Sequence, residues 1–576
     1  MKKSNDDGYL VGSRGSVGSS LLAYLANISE VNPLPSHYLC KHCHHFEIFP
    51  QKNNIIDGFD LPNKKCPYCG KDMYSDGHNI PFEVFLGFKP GDKTPDIDLN
   101  FSGDYQAIAH NFIKSLFDGM HVFRAGTIAT VAAKTAYGYV KNYFEEVRTD
   151  FQPSNALVKY YSKRCEGVKR TTGQHPGGIV IVPKQFDVCD FTPYNYPSND
   201  KSKNWYTTHF AFQTIHDTLL KFDILGHDEP TMLNYLFKLT GINPLTIPNF
   251  DAKVISLFSN SKSLNIIDEN YNMNKIATIG LPEFGTEISR DIINDTKPQC
   301  VGDLIKISGL SHGTNVWKGN AQEWINKAKK TIQDVISCRE DILSSLVQWG
   351  VEFDVAFLAT ETIRKGKGIK PEDEEIFKKC NVPAWFIQSC KLIKYLFPKA
   401  HATAYVLDAI RTAWYKVYYP LEFYAVYFTV RTKENFDLAT IIAGKERVEK
   451  VYSDYCSRRK IRGINALKNK EINLIPIFEI CLEMFARGIF LKNVDLNKSD
   501  LDHFTIDNGA ILPPFTAIDG LGIEVAKSIV SARKDRPFAS IYDLQKRTKI
   551  NSAILTKFRQ LHILDNLSED QQMNLF

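Results

Sequence analysis

The chain has 576 residues, of which 43% are hydrophobic and 23% charged, and carries a formal net charge of +5. That length exceeds what one hydrophobic core supports, so several domains are expected, and the composition is that of an ordinary globular protein. No run of 18 or more apolar residues occurs, which excludes a transmembrane helix, and the mild charge does not by itself argue for nucleic acid.

The polar opening Met1–Gly8 lacks the apolar stretch of a signal peptide, so a cytoplasmic protein is expected. Residues 11–20 then read Val-Gly-Ser-Arg-Gly-Ser-Val-Gly-Ser-Ser before an apolar helical segment. A Gly/Ser turn opening a helix can cradle phosphate with backbone N–H groups, and Ser13, Ser16 and Arg14 could add donors. The stretch lacks both common phosphate-loop spacings and reads equally as a flexible capped loop.

Twelve cysteines follow along the chain, four of them in two C-x-x-C pairs: Cys40 with Cys43, and Cys66 with Cys69. This spacing is that of a zinc ribbon. Four thiolates complete tetrahedral Zn²⁺ and leave no open position, so the site is expected to be structural. His42, His44 and His45 are alternative donors for one ligand.

In Thr94–Phe101, Asp96 and Asp98 stand two residues apart, with Ile97 and Leu99 alternating with them. On a strand both carboxylates leave one face while the apolar pair enters the core. Adjacent carboxylates repel unless a cation lies between them, and Mg²⁺ suits such oxygen donors. Residues 103–116 and 125–147 read as helical, and Arg164–Arg170 leads into the Gly-rich turn His175-Pro176-Gly177-Gly178 and an apolar strand. Asp223 interrupts another apolar strand, Leu219–Gly226. An acid placed so is costly unless paired or bound to a cation.

From Glu229 to Pro420 the pattern is mostly helical. Lys391 and Lys394 fall on one expected helix face, beside Lys399, His401 and Tyr405, a setting that suits a triphosphate and a base. Further on, Ala517-Ile-Asp519-Gly520-Leu-Gly522 lies between helical segments and precedes Lys527. Apolar-x-Gly-apolar-Gly is a helix-hairpin-helix signature, whose turn N–H groups bind duplex phosphates without reading sequence. The chain closes on Gln572-Met-Asn-Leu575-Phe576, whose apolar anchors suit a groove on a partner.

These stretches occur together and in one order in a known family. The chain resembles the polymerase portion, from palm to C-terminus, of Gram-positive-type bacterial DNA polymerase III alpha subunits, PolC type. The resemblance implies an α+β multidomain protein with a polymerase-beta-like nucleotidyltransferase palm. In the family's order, the palm occupies 1–35, a zinc-binding Cys₄ insertion 36–80, the catalytic palm strand 81–101, a thumb 102–169, and palm again 170–227. Fingers at 228–430, a duplex-binding region with the hairpin at 431–565 and a clamp-binding tail at 566–576 follow. It further implies that Asp96, Asp98 and Asp223 hold two Mg²⁺ ions roughly 3.5–4 Å apart. Gly12, Ser13, Arg14 and Ser16, with Lys394, Lys399 and His401, would hold the triphosphate. Gly520, Gly522 and Lys527 would meet DNA, and Gln572, Leu575 and Phe576 the sliding clamp. One structural Zn²⁺ would sit on Cys40, Cys43, Cys66 and Cys69.

The implied reaction is addition of dNTPs to a primer 3′-hydroxyl on a template, in bacterial chromosome replication. Partners would be primer–template DNA, dNTPs, the clamp and other replisome subunits, with no membrane. Asp519 stands where the family often has Pro, and Met573 and Asn574 replace the commoner Leu and Ser. The family's OB-like, PHP and 3′–5′ exonuclease domains do not fit before Val11, so proofreading is expected to be absent, and the expectation is either a fragment or split-gene product or a partner chain that supplies the rest, with stand-alone activity open. Two rivals stand against this reading. A NAD-dependent DNA ligase needs a K-x-D-G motif, which is missing: Ala517-Ile-Asp-Gly lacks the Lys. The other is a partner-dependent or inactive fragment acting as a DNA- and clamp-binding module.

Overall fold

The computed structural model describes residues 1–49, 57–87, 97–196, 201–202, 205–216, 218–433 and 435–569. The chain forms two compact units, residues 1–23 with 82–227 and residues 24–81 with 228–576. The cysteine-pair segment thus groups with the helical region. Residues 24–35, expected with the first unit, group with the second.

The first unit is built on a seven-stranded sheet. Its order runs Gly12–Arg14, Ile97–Ser102, Leu220–His227, Lys169–Ile181, Val122–Thr130, Thr207–Ala211, Tyr194–Asn195. The Asp98 strand (Ile97–Ser102) pairs antiparallel with Gly12–Arg14 and parallel with the Asp223 strand (Leu220–His227). Strand alternation sorts the residues by face. Leu99, Phe101, Ile179, Ile181 and Ile224 form one buried cluster with Tyr105 and Ala109 at the start of helix Gln106–Leu116. Asp98 and Asp223 therefore emerge on the face away from that helix. Farther across the sheet this second face is closed by Phe123, Ala125, Val180 and Val182.

One element departs from its expected form. Residues 125–130 were expected within a helix but lie in the strand Val122–Thr130, and the helix begins only at Ala133. Small residues there fit either state. Pairing with Lys169–Ile181, from Val122↔Ile181 to Thr130↔Lys169, decides the outcome, aided by β-branched Thr127, Ile128 and Thr130. The stretch between the two acid-bearing strands consequently contributes to the sheet, and only Ala133–Glu146 and Asn155–Cys165 form a helical pair outside it.

In the second unit the twenty-residue helix Lys399–Tyr418 is the most enclosed long element. Near its end Lys416 is completely buried. Its Nζ donates to the carbonyls of Ala277 (2.8 Å) and Ile279 (2.7 Å) and pairs with Glu483 at 2.8 Å. Tyr424 donates to the same carboxylate, and Arg487 donates to the Lys416 carbonyl. Burial lowers the Lys416 ammonium to about 8 against the opposing pull of Glu483. Removing one partner of a buried pair leaves an uncompensated charge, at about 3–5 kcal/mol. Lys416→Met should lower unfolding stability by that amount in a denaturant titration, and Lys416→Met combined with Glu483→Gln should recover part of it.

Candidate functional site

The site is fixed by register. Asp223 stands directly beside Asp98 on the neighbouring parallel strand, so the two carboxylates share one face of the sheet. Asp96 lies outside the described residues. On the far side of Asp98, Arg14 is its cross-strand partner and is buried. Gly15 follows with φ +66°, and a Cβ there would lie 3.1 Å from Asp98 Oδ2. A side chain at Gly15 would be doubly disfavoured, by that φ and by crowding of the carboxylate.

Asp223 Oδ2 is paired with Lys221 Nζ at 2.8 Å, while Oδ1 is buried without a hydrogen bond among the described residues. His175 Nδ1 lies 3.6 Å from Oδ1, beyond hydrogen-bond reach. That nitrogen instead accepts from the N–H groups of Gly177 (3.2 Å) and Gly178 (2.8 Å), which makes His175 a neutral ring. Burial keeps its pKa below the ordinary imidazole value despite the nearby Asp223. A buried carboxylate oxygen without a donor, beside a second carboxylate, is an oxygen donor set suited to a hard divalent cation.

The Gly/Ser turn is not the expected helix N-terminus. Gly15–Ser19 is a 3₁₀ turn, and the helix after it, Leu21–Leu25, has five residues. Ser13 and Ser16 are buried, and Gly12 lies in the edge strand opposite Asn100.

In the second unit the sulfurs of Cys40, Cys43, Cys66 and Cys69 all lie within 4.8 Å of one another. Each pair sits on a tight turn: His44 N–H donates to Cys40 O, and Gly70 N–H to Cys66 O. The Cys43 and His42 backbone N–H groups turn toward the Cys40 thiol and lower it to about 6. Four converging sulfurs fit a tetrahedral metal, and His42, His44 and His45 are not members of the cluster.

The residues expected to meet a triphosphate are not alike. Helix Ala384–Leu392 ends before Lys394, so Lys391 and Lys394 do not share a helix face, and Lys391 pairs with Glu374 at 2.7 Å. Lys394 is exposed just beyond the helix. Lys399 is buried, and its Nζ donates to His78 O at 2.6 Å while its N–H donates to Glu340 Oε2. His401 packs against Phe397 at 4.4 Å with the rings tilted by 30°, and stacks on Tyr405 at 4.8 Å. His312, which was not singled out from the sequence, stacks on the same Phe397 and Tyr405. Its Nε2 meets Glu283 at 2.8 Å, and Glu283 adopts φ +63°, a left-handed conformation uncommon for a non-glycine residue. The Ser-His-Gly and Leu-Pro-Glu-Phe-Gly stretches were the available signals.

At the hairpin, Gly520 takes φ +79° and Gly522 caps the helix Ile523–Asp535. Asp519 is flanked by Lys470 and Lys557, each 3.7 Å from its carboxylate, so its charge is locally opposed. Lys527 pairs with Glu524 at 2.9 Å. Gln572, Leu575 and Phe576 lie outside the described residues.

Comparisons with known proteins fit this layout. Residues 1–151 and 139–226 match the bacterial DNA polymerase III alpha NTPase domain. Residues 229–381 match the finger domain of the same subunit, and 488–573 a helix-hairpin-helix motif. The whole chain is 52% identical to the PolC-type DNA polymerase III of Ureaplasma parvum, covering 40% of that protein. It is 51% identical to that of Lacticaseibacillus paracasei and 50% identical to that of Bacillus subtilis, covering 39% of each. The chain therefore spans about two fifths of the length of these relatives.

One group near the site carries a pH signature. His110 is buried, its Nδ1 accepts from Arg124 (2.7 Å) and its Nε2 donates to Ile224 O (3.2 Å). Burial, then the Arg124 charge, push the imidazole down to about 4. A depressed histidine contributes stability that is complete above pH 6.5 and is lost as pH falls toward about 4. Between pH 7.5 and 5 the melting temperature should fall, and His110→Gln should flatten that fall while lowering the plateau. An unchanged slope would contradict the assignment.

Proposed function

Since the chain belongs to the bacterial DNA polymerase III alpha-subunit family, PolC type, we propose that it carries out template-directed DNA synthesis, adding dNTPs to a primer 3′-hydroxyl. The observation that carries this reading is the side-by-side register of Asp98 and Asp223 on parallel strands, with Asp223 Oδ1 buried and without a donor among the described residues. In this reading residues 1–23 with 82–227 are a nucleotidyltransferase palm and its thumb. The helical region supplies the fingers and a duplex-binding region.

Asp98 and Asp223, with Asp96, would hold two Mg²⁺ ions. When bound, the ions supply Lewis acidity that activates the primer hydroxyl and neutralises the departing pyrophosphate. The chain's own residues prepare that site. Gly15 leaves the space that lets the turn approach Asp98 closely. Lys221 opposes the charge on Asp223 and steadies its carboxylate while the other oxygen stays available. His175, its Nδ1 taken up by two backbone N–H groups, stands 3.6 Å from that oxygen without donating to it. The stacked His401, Phe397, Tyr405 and His312 present flat rings against which a base can rest. Template pairing selects the nucleotide, so no base-reading code is needed.

Lys399 and Arg14, both buried, would act on the nucleotide through the elements they hold, and exposed Lys394 remains a direct candidate for the triphosphate. Cys40, Cys43, Cys66 and Cys69 would hold one structural Zn²⁺. Gly520, Gly522 and Lys527 would meet duplex phosphates, with Asp519 neutralised by its lysines. The tail Gln572–Phe576 would dock on a sliding clamp. A second reading, a module whose catalysis depends on the remainder of a PolC-type protein, is favoured by the two-fifths coverage of the relatives.

Primer extension with Mg²⁺ on a labelled primer–template tests the proposal. Losing several kcal/mol of charge stabilisation corresponds to a fall of about 10³-fold or more in incorporation for Asp98→Ala or Asp223→Ala. Duplex binding should be retained. Incorporation that survives either substitution overturns the assignment, and activity that appears only when the remaining segments of a PolC-type relative are added selects the second reading.

A further inference from the structure

On the sheet face opposite the acids lies a polar cluster, two of its three members buried, that the proposed chemistry does not use. It consists of Arg124 on the strand Val122–Thr130, and Gln106 and His110 on helix Gln106–Leu116. Arg124 is nine-tenths buried, and no carboxylate among the described residues pairs with it. Such a charge is expensive to bury, so its hydrogen bonds indicate what the position is for.

Those bonds converge on a break in the sheet. Pairing between the Asp223 strand and Lys169–Ile181 runs from Leu220↔Ile181 to Asp223↔Gly178 and stops there. Pairing with the Asp98 strand continues to His227↔Ser102. The stop follows from the sequence. Pro176 has no N–H to give, and the N–H groups of Gly177 and Gly178 are turned to the His175 ring. The carbonyls facing the break then need other donors.

The cluster supplies them. Arg124 Nη2 donates to His175 O (2.9 Å) and Pro176 O (2.6 Å), and Nη1 donates to His110 Nδ1. Gln106 Nε2 donates to Pro176 O (3.2 Å) and to Ile224 O (2.8 Å), and His110 Nε2 also reaches Ile224 O. Ile224 is the residue after Asp223, and Gly178 is Asp223's partner across the ladder. The two segments lie close across the break: a Cβ at Gly177 would sit 2.5 Å from Leu225 Cδ2 and 2.8 Å from Ile224 O, so the approach requires glycine. Burial keeps the guanidinium near a pKa of about 10, so it stays charged, and leaves His110 neutral to accept from it.

We propose that Arg124, acting through His110 and alongside Gln106, is a positioning residue that bridges the strand break and thereby sets the Asp223 carboxylate beside Asp98 for cation binding. The inference rests on the reading of Asp223 as a metal ligand. Partners one layer behind a metal ligand typically govern 10–100-fold in metal affinity.

The test is Mn²⁺ titration of the full chain followed by electron paramagnetic resonance, alongside primer extension as a function of Mg²⁺. Arg124→Met should weaken Mn²⁺ binding about 10-fold or more and raise the Mg²⁺ needed for half-maximal extension by a similar factor. The rate at saturating Mg²⁺ should change less. Arg124→Lys, with a compact ammonium in place of the fork, should fall between. Gln106→Met, which leaves Arg124 in place, gives a second, milder variant should Arg124→Met fail to fold. Folded variants that bind Mn²⁺ with the wild-type Kd overturn the inference, as does a loss of binding sites without a change in Kd. Asp223→Asn separates the two layers of the argument. If it binds Mn²⁺ like the wild type, the reading of Asp223 as a ligand fails. If it binds weakly while folded Arg124 variants bind normally, only the positioning role fails.

Discussion

Two carboxylates on adjacent parallel strands are the constraint around which the first unit is arranged. Strands neighbour one another at about 4.8 Å. At that spacing two negative charges repel by on the order of 3 kcal/mol at an effective dielectric of about 20. Asp98 and Asp223 are held in this arrangement by the continuous parallel register from Phe222↔Ile97 to His227↔Ser102. The apolar residues that alternate with them, Leu99, Phe101 and Ile224, anchor the opposite face. Moving either acid would require a register slip that turns that core outward. The repulsion is accordingly built into the fold and partly opposed by Lys221.

The surroundings of the pair are organised to keep it available. On one side Gly15 brings the Gly/Ser turn against Asp98 without a side chain in the way. On the other, the chain gives up ladder hydrogen bonds at His175–Gly178 and recovers them from Arg124, Gln106 and His110. The second unit uses the same device elsewhere. Lys399 and Lys416, both buried on one helix, bind backbone carbonyls of other segments and so fix where that helix begins and ends. Several buried cations in this protein thus hold backbone in place.

Legibility from sequence followed the range of the interaction. The interrupted apolar strand at Asp223 and the cysteine pairs are local patterns, and each reads correctly as an acid-bearing strand or a sulfur cluster; of the D-x-D pair, Asp98 falls on a strand and Asp96 lies outside the described residues. Residues 125–130 were misjudged because Ala, Gly and Thr do not favour one state strongly, and a strand some fifty residues away made the choice. The Lys391/Lys394 face failed on a helix boundary, the least secure feature of any periodicity argument. Arg124, His110 and Gln106 were invisible for a different reason. Their partners are 14 to 118 positions away, and nothing in a one-dimensional pattern marks a buried arginine that binds carbonyls. Lys221 was within reach of the same two-residue rule that paired Asp96 with Asp98, since it precedes Asp223 by two.

The proposed function draws on the chain's likeness to PolC-type DNA polymerase III, two fifths of whose length it spans. The central claim is that Asp98 and Asp223 form one cation site. It is tested most directly by anomalous X-ray diffraction from crystals of the full chain soaked in Mn²⁺. The account predicts an anomalous peak coordinated by oxygens of both carboxylates, absent in crystals of Asp223→Asn. Both carboxylates ordered at millimolar Mn²⁺ with no peak between them, or a peak that persists in Asp223→Asn, would contradict it.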